Sequence, residues 1–119
     1  MTLDALQPDA AAALEEARAR AADLVGPELM SMVRDRISAT LAGTPPSRDR
    51  APLSAMDADC IALVDQMLID VSATTDAQVA AAGRHFASGG LSDFVTAAYL
   101  TEASVRLEIA STRLLGTPR

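Results

Sequence analysis

The sequence has no tryptophan and no lysine, a single cysteine, a single histidine and only three aromatic side chains, Phe86, Phe94 and Tyr99, in 119 residues. Each scarcity excludes something. One thiol, Cys60, cannot build an intrachain disulfide framework or a cysteine-rich zinc site. His85 has no second metal ligand spaced with it, so no metal and no cofactor is expected. No run approaches 18 apolar residues, which predicts that nothing spans a membrane. Residues 1–25 lack the basic and apolar regions of a signal peptide, so the expected setting is soluble and cytoplasmic. The ten basic residues, all Arg, are outnumbered by 16 Asp and Glu, giving a net charge of −6 and a pI near 4.5. With no basic stripe, neither nucleic acid nor an anionic membrane surface is an expected partner.

Alanine is what the chain has in quantity: 25 residues, leaving 34 larger apolar side chains. Alanine gives up no side-chain entropy in a helix and lets helices approach closely. The length suits one core, so residues 1–119 are read as a single helical domain. A core this thin in area per residue often borrows stability from a second subunit.

Glycine and proline divide the chain into five predicted helices, roughly 8–25, 27–42, 55–72, 76–87 and 93–115, with no period-2 segment to suggest a strand. Pro8 and Pro27 suit the first turn of a helix, where the missing N–H goes unused. The first helix has a weak apolar stripe through Leu14, Ala21, Ala22 and Val25. Met30, Val33, Ile37 and Leu41 share a face of the second, which Gly43 should end. Residues 43–53 read as a Pro-rich linker. Ser54 with Asp57, and Thr75 with Gln78, resemble capping boxes. The third helix carries Met56, Cys60, Leu63, Val64, Met67, Leu68 and Val71 on one face, with Asp59, Asp65 and Asp70 on its other sides. Asp57, Asp59, Asp65 and Asp70 together read as a solvated face rather than a cation site. Ser88-Gly89-Gly90 should end the fourth helix and Ser92 should cap the fifth. The inner stripe of that last helix is read as Phe94, Val95, Ala98, Tyr99, Val105 and Ile109.

The run from Ala62 to Leu115, with its T-D-x-x-V opening at Thr75, its L-S-D start at Leu91 and its Arg106-Leu107 element, resembles the carboxymuconolactone decarboxylase / alkylhydroperoxidase AhpD-like family. Residues 24–43 are similar to the helix that precedes that family's active site. The resemblance implies a truncated AhpD-like helical bundle and an oligomer. Members of the peroxidase branch place Glu, Cys-x-x-Cys and His on the next helix, where one thiol attacks and the other resolves. Here the Pro-rich segment 43–53 replaces that helix, so the resemblance carries over neither the peroxidase nor the decarboxylase activity.

Four side chains are candidates for a relocated site. Glu102 falls on an otherwise apolar stripe, where a carboxylate must pair or shift its pKa. Arg106, four residues on, is its natural partner. Tyr99 lies one turn earlier, and His85 supplies the only imidazole. A general acid–base site would need His85 to face one pocket with Glu102 or Tyr99. Cys60, among apolar neighbours, reads as a buried and inert thiol. The principal expectation is a non-catalytic, oligomer-forming helical subunit or accessory protein of a metabolic enzyme system. A homo-oligomer is expected with the last helix at its interface and Glu102–Arg106 near the centre; a hetero-complex with an enzyme subunit is the other partner considered. The alternatives are an enzyme with a relocated Glu/His/Tyr site and a small-ligand-binding regulatory module.

Overall fold

A computed structural model describes residue 5 and residues 7–44 and 53–116. Among these, the chain forms five α-helices and no strand: α1 (Pro8–Val25), α2 (Pro27–Ala42), α3 (Ala55–Asp70), α4 (Asp76–Gly83) and α5 (Gly90–Leu115), with a 3-10 turn at Val71–Ala73 after α3. The all-α expectation holds. Most of the linker expected at 43–53 lies outside the described residues.

Local chemistry explains the boundaries. Gly26 alone joins α1 to α2, at φ 124°, a conformation closed to most side chains. Its N–H donates to the Ala22 carbonyl, 2.8 Å away, and its own carbonyl accepts from the Met30 N–H at 3.1 Å. One residue therefore closes one helix and opens the next. Gly43 ends α2 in the left-handed region, as expected. Ser54 Oγ accepts the Asp57 N–H, and Thr75 with Gln78 forms a reciprocal capping box at α4.

Three boundaries differ from expectation. The third helix stops at Asp70, because the Asp70 carboxylate turns back onto the Ser72 N–H and hydroxyl at 3.0 and 2.6 Å and closes a tighter turn. The fourth stops at Gly83 rather than near residue 87. The fifth starts at Gly90, capped by Gly89 in the left-handed region, so Ser92 lies inside the helix and is not its cap. Gly90 has its own reason: a Cβ there would come within 2.8 Å of the Phe86 Cβ.

The core joins α2, α3 and α5. Val33 and Ile37 of α2, Cys60 and Val64 of α3, and Phe94 and Thr101 of α5 are the largest fully buried side chains. Phe86 stacks on Phe94 with ring centroids 5.5 Å apart. α1 buries only Ala21, consistent with a helix whose small side chains let it lie close along α5. Thr101, the one buried polar residue among those described, donates from Oγ1 to the Ala97 carbonyl at 2.8 Å. The stripe expected on α5 needs one correction. Tyr99 is 43% exposed, because a step of five residues from the buried Phe94 carries it around to the outer face.

Two interhelical ion pairs add direction to this packing. Arg36 of α2 meets Asp65 of α3 with two parallel bonds, Nε to Oδ1 at 2.9 Å and Nη2 to Oδ2 at 2.8 Å. Arg34 of α2 reaches Glu108 of α5 at 2.8 Å. Among the described residues two buried hydroxyls lack a partner, Thr74 Oγ1 after the 3-10 turn and Ser104 Oγ on α5. Ser104→Ala removes the second of these and raises helix propensity, so a gain of about 1 kcal/mol is expected in urea unfolding.

Candidate functional site

The four candidate residues fall into two separate groups. Tyr99, Glu102 and Arg106 follow one another along the middle of α5. Arg106 Nη2 donates to Glu102 Oε1 at 3.4 Å, with the Arg side chain 56% and the Glu side chain 20% exposed. The pair expected from their spacing is present but long, and in a single protomer it is worth little. No hydrogen bond or ion pair joins His85 to Glu102, Tyr99 or Arg106.

His85 belongs instead to a cluster between α3 and the turn after α4. Its Nε2 lies 2.7 Å from Asp59 Oδ2, and Arg84 Nη2 donates to the same oxygen at 2.8 Å. The short contact is a bond only when Nε2 carries the proton, since two lone pairs would repel. Arg84 Nε, 3.2 Å from that nitrogen, then faces an N–H and cannot donate to it. The bonds from His85 and Arg84 hold the Asp59 carboxyl below the usual aspartate range. Asp59 is thus no free solvated charge, and neither is Asp65 in its clamp with Arg36; both reach arginines of other elements. Sequence spacing gave no signal for these partners, because Asp59 and His85 are 26 positions apart.

The Asp59 cluster has a pH signature. In the unfolded chain Asp59 takes up its proton at a higher pH than in the folded protein. Its stabilisation is therefore fully present above the ordinary aspartate value, about 4, and fades as pH falls through the lower folded value. Urea unfolding of the wild type and Asp59→Asn should differ at pH 6 and converge in stronger acid; a constant difference would show that Asp59 does not titrate in this way.

Cys60 is fully buried, and burial pushes its thiol up to about 11, with the charges of Asp57 and Asp59 adding to the effect. The burial is as expected from its apolar neighbours. No group of three or more His, Cys, Asp and Glu among the described residues is arranged to hold a metal ion. No helix among them is long and apolar enough to cross a membrane.

An open cleft of about 380 Å³ lies between the C-terminal halves of α2 and α5. Its walls are Ser38 and Ala42 on one side and Val105, Ile109 and Thr112 on the other, with Glu108 and Arg113 as its charges. His85, Glu102 and Tyr99 do not line it. Sequence reading missed this cleft because its two walls are about 70 residues apart in the chain, and neither carries a local motif.

No protein-family model, curated protein or solved structure matches the chain.

Proposed function

We propose that this protein is a non-catalytic, oligomer-forming helical subunit, accessory to a metabolic enzyme system. The observation that carries the reading is the outer face of α5. Leu107 is 40% and Leu114 is 82% exposed there, seven residues apart on one side of the helix. Large apolar side chains grouped on one face of a helix mark an interaction surface, whereas scattered ones do not. The relation to the AhpD-like family belongs to the same proposal and rests on the order of elements in residues 62–115. The relocated enzymatic site needs His85 to share one cavity with Glu102 or Tyr99, whereas His85 meets Asp59 and Glu102 pairs with Arg106.

Native mass spectrometry of the protein taken from its own host tests the proposal, because it reads stoichiometry and partner together. An assembly of two or more chains, alone or with an enzyme subunit, is expected. A single 12.4 kDa species would overturn it. The cleft between α2 and α5 favours a second reading, a small-ligand module, since its volume lies within the range of ligand pockets. An ordered small molecule retained in the same native spectrum, and lost in Ile109→Trp, would support that reading.

A further inference from the structure

The arginines of this acidic chain are held by carboxylates, with one exception. Among the described residues, Arg18, Arg20, Arg34, Arg36, Arg84 and Arg106 each meet an Asp or Glu oxygen at 2.5–3.4 Å. Arg113 of α5, alone among the described arginines, makes neither a hydrogen bond nor an ion pair. It lines the cleft between α2 and α5. A place in the last turn of α5 suits a cation through the helix dipole. That field accounts for the sign of the residue but leaves its N–H groups without a protein partner.

The other walls of the cleft complement this charge. Its one carboxylate, Glu108, is engaged by Arg34, which lies one turn before Ser38 on α2 and bridges the two helices at 2.8 Å. The cleft therefore carries one unbalanced positive charge. Val105, buried, and Ile109, half-buried and one turn on, make its apolar wall. The hydroxyls of Ser38 and Thr112 face the same space, and neither has a hydrogen-bond partner among the described residues.

We propose that this cleft binds a small organic anion, a carboxylate carried on a short aliphatic body. The inference rests on the small-ligand reading above and names the chemistry of the ligand. The carboxylate takes the guanidinium of Arg113, whose fork of N–H donors matches two oxygens. Ser38 or Thr112 adds a hydroxyl donor. The aliphatic body covers Val105 and Ile109 and removes their surface from water. A neutral aliphatic molecule would leave Arg113 unpaired, and an inorganic anion would leave the apolar wall wet. The cleft volume, about 380 Å³, is at the small end of ligand pockets, which excludes a ligand the size of a dinucleotide.

Titration with hexanoate, 1-hexanol and acetate tests this, followed by NMR through the methyl signals of Val105 and Ile109. Hexanoate should shift both signals saturably. Hexanol has the same chain without the charge and should bind at least about tenfold more weakly, the effect of losing a hydrogen bond to a charged group. Acetate keeps the charge without the chain and should also be at least about tenfold weaker, since each buried CH₂ adds about fourfold. Arg113→Gln should weaken hexanoate at least about tenfold and leave hexanol unchanged, while Arg113→Lys should keep the preference for hexanoate. Position 113 is exposed, and circular dichroism verifies that each variant folds.

Equal binding of hexanoate and hexanol, or hexanoate binding that Arg113→Gln does not weaken, would overturn the selection of an anion and leave the small-ligand reading standing. Hexanoate that shifts neither methyl signal overturns the proposal outright. The reading it rests on fails by a different result, a native spectrum of the protein from its own host with no small molecule retained.

Discussion

Phe94→Ala is expected to remove about 3–5 kcal/mol of stability, read as a large fall in the urea midpoint. Phe94 is the largest fully buried side chain of the described residues, and Phe86 stacks on it. The substitution loses both the transfer energy of the ring and the contacts around the cavity it leaves, because backbone helices relax only partly into such a void. The size of the effect matters here because a domain of this length holds only about 5–15 kcal/mol in total. Tyr99→Ala, five residues along the same helix on its outer face, should change protomer stability by less than about 1 kcal/mol. Similar effects of the two substitutions would mean that α5 is seated on a different face.

Cys60 should resist thiol reagents in the folded protein and react at least about 100-fold faster once the chain is unfolded. With its thiol pushed up to about 11, only about one molecule in 10⁴ holds a thiolate at neutral pH. An ordinary cysteine holds a few in a hundred, and full burial adds a steric barrier. The same shift makes stability fall in alkali. The unfolded chain loses the thiol proton first, so the stabilisation is complete below about 8.5 and is lost as pH rises toward about 11. A Cys60→Ala variant should lack that component of the alkaline slope. Rapid labelling of the native protein would place Cys60 at the surface. The single thiol also cannot form an internal disulfide, so peroxide reduction through a dithiol cycle is not expected.

The fold was more legible in the sequence than the site because the two depend on signals of different range. Helix boundaries are set by residues close in the chain: Pro8 and Pro27 at helix starts, Gly43 at an end, Thr75 with Gln78 at a cap. Such signals can be read one window at a time. They failed where two local signals competed, as at Ser92, where a good capping residue follows a pair of glycines that had already begun the helix. The buried face of α2 was legible for the same reason, since Met30, Val33 and Ile37 repeat at helical spacing and are all buried. Tyr99 shows the limit of periodicity. An apolar residue on a helix is counted toward the inner stripe unless the rotation from each neighbour is followed, and α5 has two apolar faces rather than one. The partners of Asp59, Asp65 and Glu108 lie 25 to 74 positions away, and no local pattern points to them. Glu102 and Arg106 were the exception, because both ends of that pair lie on one helix.

The one-residue joint at Gly26 constrains what lengths of chain this fold accepts. α1 and α2 share that glycine with no slack on either side, so a residue added or removed there cannot be absorbed by a loop. Each added helical residue turns everything after it by about 100° around the helix axis. One insertion would swing Met30, Val33 and Ile37 away from α3 and α5 and bring Arg34 or Asp35 toward the core. The carboxylate of Asp65 would lose Arg36, and the carboxylate of Glu108 would lose Arg34. Insertions and deletions at Gly26 should therefore be rejected, which fixes the register of the first two helices against each other.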